Sequence, residues 1–205
     1  MNERSYYFWP VSKGPDTRRA ILDQALRLAS TGGLGQLSIG LLAGAAKMSK
    51  SGLFAHFRSK EQLQLEVLRA GSDRFVAKVL APALRAPRGE PRLRALFENW
   101  LVWDRDEFPG GCVFEAAAAE LDDKPGPVRD YLVETQRDLQ DSISQIARAG
   151  IESRKFKSSL DPVQLAFEFV GILLAFHRTS RLLRDENAAR RARRAFDDLM
   201  SRVRA

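Results

Sequence analysis

Residues 47–63, KMSKSGLFAHFRSKEQL, form a run of side chains that bind anions. The run holds four cationic residues, three serines and one of the two histidines of the chain, and no acidic residue precedes Glu61. Lysine and arginine neutralise phosphate groups, and serine hydroxyls donate hydrogen bonds to phosphate oxygens. The pattern therefore favours binding of a polyanion, and the alternative left open by charge alone is a solvated basic surface.

The positive charge of the chain is concentrated around this run. Residues 1–70 contain ten Lys and Arg against five Asp and Glu, a net charge of +5, whereas the other 135 residues carry +2. A localised basic surface is typical of proteins that bind nucleic acid.

Side chains for catalysis or metal binding are few. His56 and His177 lie far apart in the sequence, and Cys112 is the only thiol, which excludes an internal disulfide and a zinc site of several thiolates. No phosphate-binding loop or metal-ligand spacing occurs. We predict no metal, no cofactor and no enzymatic activity, although a small helical enzyme remains the rival from another class.

Composition predicts a soluble globular protein. Hydrophobic residues make up 44% and charged residues 29% of the chain, and no apolar run reaches the roughly 18 to 20 residues of a membrane span. The start, MNERSYYFWP, lacks the apolar core of a signal peptide, so the predicted location is the cytoplasm and no membrane partner is expected. The aromatic residues 6–9 have three open interpretations: a disordered arm, a cloning remnant or an ordered flap.

Helical periodicity dominates the chain and predicts an all-α fold. Ser38 and Ser59 are candidate amino-terminal caps, and Asp161-Pro162 is a strong helix start. Prolines 82, 87 and 91 mark the expected boundary between a small amino-terminal and a larger carboxy-terminal helical part. The predicted helices begin near Asp16 or Thr17, follow Ser38, span 50–57, run from Ser59 towards Leu80, and then cover 91–106, 111–121, 126–152, 161–184 and 186–204.

The helices on either side of the corner 47–49 have the features of a helix-turn-helix. Small residues at Ala43 and Ala46 allow the helices to cross closely, and apolar residues lie beneath them. The second helix then presents short or flexible side chains to a DNA major groove about 12 Å wide. The apolar underside comprises Leu42, Met48, Leu53 and Phe57; the outward surface comprises Ser49, Lys50, Ser51 and Gly52, flanked by His56, Arg58 and Lys60.

The stretch from Leu42 to Leu63, LAGAAKMSKSGLFAHFRSKEQL, resembles the DNA-binding signature of the TetR family of bacterial transcriptional regulators. That signature has an alanine-rich helix, a Val/Met-Ser corner and an aromatic-x-His-Phe-x-Ser-Lys-Glu-x-Leu ending. The resemblance implies about nine helices: an amino-terminal three-helix DNA-binding domain and a carboxy-terminal domain for ligand binding and dimerisation. The expected divisions are an arm at 1–15, the DNA-binding domain at 16–70 and the effector and dimerisation domain at 71–205.

The resemblance also implies roles for single residues. Ser38 and Ser49 would cap helices and contact phosphates, Lys50, Ser51 and Gly52 would face base edges or phosphates, and His56 and Lys60 would face the DNA backbone. The full predicted DNA-binding set is Ser38, Ser49, Lys50, Ser51, Gly52, Phe54, His56 and Lys60.

Two residues depart from the family pattern. Lys47 stands where the family usually has glycine, at a corner for which a left-handed backbone would cost lysine about 1 kcal/mol or more. Phe54 lacks the hydroxyl of the usual tyrosine. These departures keep open the alternative of a helical ligand-binding protein with an impaired DNA-binding head.

The carboxy-terminal part is rich in aromatic residues, which suit both a core and a pocket for a small apolar or aromatic effector. Cys112 is open to two interpretations, a buried small side chain or a reactive sensor thiol. The candidate pocket residues are Trp100, Trp103, Phe114, Phe167 and His177.

Apolar stripes on the last two helices predict self-association as a four-helix bundle, and the resemblance implies a homodimer with recognition helices about 34 Å apart. The expected function is a repressor that binds double-stranded, palindromic operator DNA and is released by its effector, with an activator as the alternative. The predicted dimer interface comprises Leu165, Phe169, Ile172, Phe176, Ala192, Phe196 and Leu199.

Overall fold

The computed structural model describes residues 15–46, 48–54 and 56–205, with the backbone alone for Pro15, Asp16 and Phe54. Within these ranges the chain is helical, and the single β-type pairing is an isolated bridge between Phe156 and Arg204. The all-α prediction is confirmed. The predictions for Lys47 and for the aromatic arm lie outside the described residues.

Nine helices follow one another in the described ranges, two of which change pitch before they end. The helix after Ser59 passes through a π-helical segment, Val76–Leu80, into a last turn at Ala81–Leu84, and the next helix ends in a π-helical segment, Trp103–Glu107. The helices are α1 (Pro15–Gly32), α2 (Ile39–Ala45), α3 (Lys50–Phe54), α4 (Lys60–Phe75), α5 (Glu90–Val102), α6 (Val113–Leu121), α7 (Pro127–Glu152), α8 (Pro162–Arg181) and α9 (Ala188–Val203).

Side-chain caps fix the starts of three helices as predicted. The Ser38 hydroxyl accepts a hydrogen bond from the Leu41 amide at 3.1 Å, and the Ser59 hydroxyl accepts one from the Gln62 amide at 3.0 Å. Asp161 caps α8 by accepting from two amides, and Pro162 fills the first helical position.

The helix that begins after Ser59 continues past Pro82 to Leu84, slightly beyond the end near Leu80 that the sequence predicted. The α-helical hydrogen bonding gives way to the π-helical segment Val76–Leu80 just before the turn that contains Pro82. Proline lacks an amide hydrogen, and its ring clashes with the carbonyl four residues earlier in a regular α-helix. The change of pitch accommodates the proline while the helix continues to Leu84.

One continuous hydrophobic core runs through both parts of the molecule. In the carboxy-terminal part, Phe97 and Phe196 stack with ring centroids 4.5 Å apart, and Phe169 packs edge-on to both. The amino-terminal part joins this core where α4 passes α1 and α6: a Cβ atom at Gly71 would lie 3.3 Å from Leu26 and 3.4 Å from Phe114. The two parts are therefore packed against each other, with α1 lying on α6.

Candidate nucleic-acid interface and candidate pocket

The helix pair α2 and α3 is held from below by apolar side chains. Leu42, Leu53 and Phe57 are fully buried. Across the corner, the Met48 amide donates a hydrogen bond to the Ala43 carbonyl at 2.9 Å. These are the positions that the sequence pattern assigned to the underside of a helix-turn-helix, and their packing leaves the other side of α3 facing outward.

The outward surface of α3 carries hydroxyls and a cation. Ser49, Lys50 and Ser51 are exposed, and Gly52 is half-buried. The Ser49 hydroxyl accepts from the Gly52 amide at 3.1 Å and lies 3.2 Å from the Ser51 hydroxyl. Ser49 thus caps α3, as predicted. The predicted contact of the Phe54 side chain lies outside the described side chains.

Lys60 lies at the first position of α4, where the positive end of the helix dipole disfavours a cation. Its ammonium donates to the Gly35 carbonyl at 2.5 Å. An ammonium group has three donors, so two remain for a phosphate. Arg58 beside it is exposed, and its amide donates to the Gln62 side chain at 2.9 Å.

Arg18 of α1 is a supporting residue that the sequence analysis did not find. Its guanidinium donates to the His56 carbonyl at 3.1 Å, pairs with Glu66 and lies 5.1 Å from the centre of the Phe57 ring. His56 itself is half-buried. Arg18 therefore fixes the turn that leads from α3 into α4, and no local pattern in the sequence could have indicated these contacts across 38 or more residues.

Four of the five candidate pocket residues are buried or half-buried between the carboxy-terminal helices, and Phe167 is not among them. Trp103 and Phe114 both pack edge-on against Phe75, at 5.3 and 6.2 Å between ring centroids. Trp100 packs against Phe176, whereas Phe167 is 69% exposed on the outer side of α8. Phe167 was a candidate because it is one of the many aromatic residues of the carboxy-terminal part, and residue type alone does not indicate which side of a helix its neighbours cover.

A cleft of about 120 Å³ opens between α4 and α7, and Phe114 is the one candidate residue in its wall. The cleft is mostly apolar, and its polar lining residues carry hydroxyl, amide and carboxylate groups. Its other lining residues gave no sequence signal because polar residues on an amphipathic helix are ordinarily solvated. The lining comprises Ser72, Phe75, Val76, Leu80, Phe114, Thr135, Gln136, Asp138, Leu139 and Ser142.

His177 is half-buried and belongs to a polar cluster with Asp104 and Glu115, none of which lines this cleft. Asp104 is fully buried, and its Oδ1 atom accepts from the Cys112 amide at 3.0 Å and lies 2.6 Å from Nδ1 of His177. The hydrogen bond to Asp104 raises the pKa of His177 above its ordinary value. Burial raises the pKa of Glu115 in the same cluster.

Cys112 lies directly before α6, at the N-cap position, and is 2% exposed. Burial, followed by the charge of Glu115, raises the pKa of its thiol to about 12. Reactive thiols need a lowered pKa and access to solvent. The structure therefore favours the interpretation of Cys112 as a small buried side chain.

The predicted dimer residues lie mostly inside their own subunit. Ile172 is half-buried, and the other six are at most 6% exposed. They are core residues because α8 packs against both α7 and α9, which cover the centre of its apolar stripe. The apolar side chains that remain exposed on the outer side and at the end of α8 are Val163, Phe167, Leu174, Leu182 and Leu183.

None of the described helices combines the length and the apolar character needed to cross a membrane. The fold and the exposed surface of α3 define a helical protein with a helix-turn-helix head. The family model for bacterial regulatory proteins of the tetR family matches residues 21–67, and the model for the tetracyclin repressor-like carboxy-terminal domain matches residues 89–196. The second match alone covers more than half of the chain, so the chain belongs to the TetR family of transcriptional regulators.

Solved structures agree with this fold. A TetR transcriptional regulator from Chloroflexus aurantiacus is 21% identical with a TM-score of 0.81, over 92% of this chain and 96% of that one. AibR, solved with isovaleryl coenzyme A and operator DNA, is 25% identical with a TM-score of 0.66, over 79% and 86%. The ketosteroid regulator KstR2 of Mycobacterium tuberculosis is 18% identical with a TM-score of 0.68, over 94% and 97%. No curated protein sequence matched the chain.

Membership of this family makes the chain a DNA-binding transcriptional regulator. TetR-family regulators are not enzymes, so the prediction that this chain is not an enzyme is confirmed.

Proposed function

We propose that the chain is a homodimeric repressor that binds a partly palindromic operator in the cytoplasm and is released by a small effector. The proposal rests on the polar and cationic groups that are exposed on the outward surface of α3 and at the start of α4. Hydroxyls of Ser49 and Ser51 and the cations Lys50, Arg58 and Lys60 are all exposed there. Such groups contact phosphates and base edges when a recognition helix enters the major groove.

The outer side of α8 supports the homodimer. Val163, Phe167 and Leu174 follow one another at intervals of four and seven residues, so they lie on one side of the helix and are 43 to 69% exposed. An exposed apolar stripe of this kind is typical of an interface. A two-fold axis through it would bring the stripes of two subunits together and give two recognition helices for two half-sites.

The cleft between α4 and α7 is the proposed effector site. Its volume of about 120 Å³ is similar to that of an engineered apolar cavity of about 150 Å³ that binds benzene. It therefore suits an aromatic ring or a short apolar chain, with hydroxyl and amide groups nearby for a polar substituent. AibR was solved with isovaleryl coenzyme A, whose acyl group is small and apolar.

Release follows from differential affinity. An effector that binds more tightly to the arrangement in which the recognition helices no longer match two successive grooves shifts the population towards that arrangement. The cleft is lined by α4, which also carries Lys60 at its start. A ligand in the cleft therefore acts on the helix that leads directly to the DNA-binding surface.

Footprinting of the purified protein on the DNA that flanks its own gene tests the proposal, followed by a salt titration on the protected site. We expect a near-symmetric footprint and a decrease of log affinity with log salt of about 0.9 per phosphate contact. A slope near zero would exclude DNA binding through phosphates. A folded dimer that binds no DNA at low salt would instead favour the ligand-binding protein with an impaired head, and transcription in vitro separates repression from activation.

A further inference from the structure

A series of contacts connects the carboxy-terminal part of the molecule with Lys60. Glu120, near the end of α6, accepts a hydrogen bond from the Gly35 amide on its Oε2 atom at 2.9 Å. The carbonyl of the same Gly35 accepts from the Lys60 ammonium at 2.5 Å. One peptide segment thus lies between a carboxylate of α6 and a cation on the proposed DNA-binding surface.

Two glycines allow the carboxylate to approach this segment. A Cβ atom at Gly35 would lie 2.4 Å from Oε1 of Glu120, and one at Gly33 would lie 2.6 Å from Oε2. Gly33 also has φ of 77°, which a residue with a side chain rarely adopts. The turn between α1 and α2 is therefore shaped to receive Glu120.

The turn is anchored on its other side as well. Leu34 is fully buried, and its carbonyl accepts from the Gln64 side-chain amide at 2.9 Å. Gln64 keeps the turn near α4, but it does not bond to Gly35. Glu120 is the partner of the Gly35 amide among the described residues, and Lys124 lies 4.0 Å from its carboxylate.

We propose that Glu120 is a positioning residue for DNA binding: it holds the Gly33–Gly35 turn so that the Gly35 carbonyl fixes the Lys60 ammonium for contact with a phosphate. The proposal rests on the proposed DNA-binding function. A lysine side chain has many rotamers, and a partner that limits them before binding reduces the entropy lost on binding. A hydrogen bond from an amide to a carboxylate is stronger than one to a neutral group, which suits Glu120 to this role.

The charge of Glu120 has the opposite effect, because a carboxylate near the interface repels phosphate. Glu120→Gln keeps an oxygen that accepts from the Gly35 amide, so its weaker hydrogen bond and its lost repulsion of phosphate act in opposite directions, whereas Glu120→Ala removes both the oxygen and the charge. The two variants therefore separate positioning from repulsion. Glu134→Ala on α7 is the control, since it removes one carboxylate and changes the net charge equally; Glu134 is exposed, whereas Glu120 is half-buried.

The experiment measures operator binding of the full-length variants at two salt concentrations, with thermal unfolding as a check of folding. We expect Glu120→Gln and Glu134→Ala to bind within about twofold of the unsubstituted protein, and Glu120→Ala to bind about five- to tenfold more weakly. The double variant Glu120→Ala/Lys60→Ala should bind no more weakly than Lys60→Ala alone, because Glu120 acts through Lys60.

Gly35→Ala provides a second route to the same result. Its Cβ atom displaces the Glu120 carboxylate, so it should reproduce the loss seen for Glu120→Ala and be equally non-additive with Lys60→Ala. Unchanged binding of Glu120→Ala, or losses for Glu120→Ala and Lys60→Ala that add, would overturn the positioning role while leaving the proposed function intact. If the unsubstituted protein binds no DNA, the proposed function fails and this inference fails with it.

Discussion

Lys50 and Lys60 differ in where they lie, and the difference predicts different effects on DNA binding. Lys60 has its ammonium fixed by the Gly35 carbonyl at the start of α4, whereas Lys50 is exposed at the first position of α3. We expect Lys60→Ala to weaken binding to all sequences equally and to reduce the salt slope by about 0.9, the value for one phosphate contact. We expect Lys50→Ala to change the preference among operator variants. Binding titrations on a set of single-base operator variants measure both effects, and identical behaviour of the two variants would contradict these roles.

His177 makes the stability of the fold depend on pH. Its hydrogen bond to Asp104 raises the pKa of His177, and Glu115 and Arg181 are the other charged groups that act on it. Because the pKa of His177 is higher in the folded protein than in the unfolded chain, the His177–Asp104 pair stabilises the folded state fully at pH values below the unfolded pKa of about 6.5. This stabilisation is lost as the pH rises through the pKa of His177 in the folded protein.

The variant His177→Gln tests this pH dependence. Its thermal unfolding is compared with that of the unsubstituted protein at about pH 5.5 and about pH 8.5. We expect the difference in midpoint between the two proteins to be larger at the lower pH. Groups that titrate equally in both proteins cancel in this comparison. A difference that is the same at both pH values, or larger at the higher one, would contradict the stabilising role of the His177–Asp104 pair.

The sequence indicated the residues of the proposed DNA-binding surface much better than the residues that support them. Ser38, Ser49 and Lys60 were found because caps and a recognition surface are local patterns of a few residues. Arg18 and Glu120 were missed because their partners lie 38 to 85 residues away, and a contact of that separation leaves no periodicity in the sequence. Such supports become visible only when the packing of α1 and α6 on the head is known.

At the scale of elements, the bounds of the helices were predicted closely, but the way in which the helices pack against one another was predicted poorly. The starts of α2, α4 and α8 follow from capping side chains, so they could be read from the sequence. The helix from Ser59 was expected to run towards Leu80, and the π-helical segment Val76–Leu80 lets it continue past Pro82 to Leu84. Local rules describe what an isolated helix would do, and packing against α7 and α5 decides the outcome here.

The end of α1 and the loop before α6 contact each other through Gly110. Among the glycines of the described residues, Gly110 lies closest to the backbone of another element. A Cβ atom at Gly110 would lie 1.8 Å from the Ser30 carbonyl oxygen, and the Gly110 amide donates to the Ser30 hydroxyl at 3.1 Å. Gly110→Ala should therefore force α1 away from α6 and lower the free energy of unfolding by about 2 kcal/mol or more, as overpacking in a dense interior does.

Denaturant unfolding measures this change, and Gly44→Ala is the control. Among the described residues, no atom other than those of adjacent residues and of the backbone of α2 itself lies within 4 Å of a Cβ atom at Gly44, so alanine there should be neutral or stabilise by up to about 1 kcal/mol. Equal stabilities of Gly110→Ala and Gly44→Ala would show that α1 and α6 separate at little cost, contrary to the rigid contact described here.

At the scale of the whole molecule, the sequence predicted self-association through the last two helices, but the α8 residues that it named for the interface pack almost entirely inside their own subunit. The periodic stripe from Leu165 to Phe176 is wide enough to serve two surfaces, and α7 and α9 take the centre of it. What remains for a partner is the adjacent outer side, with Phe167 at its middle. The sequence analysis had named Phe167 as a pocket residue because it is aromatic.

Phe167→Glu is the sharpest test of the proposed dimer. A charge at the centre of an apolar interface loses its solvation without gaining a partner, so the variant should be monomeric at concentrations where the unsubstituted protein is a dimer. Leu84→Glu is the matched control, because Leu84 is also a large apolar residue, 43% exposed, but lies in the last turn after the π-helical segment of α4.

Sedimentation analysis measures whether each variant is a monomer or a dimer, and titration with operator DNA measures how the loss of the dimer changes the affinity. A monomer holds one recognition helix instead of two, so Phe167→Glu should lose most of its affinity for a site with two half-sites while keeping its thermal stability at low protein concentration. A dimeric Phe167→Glu variant, or equal dissociation of the Leu84→Glu control, would place the subunit interface elsewhere.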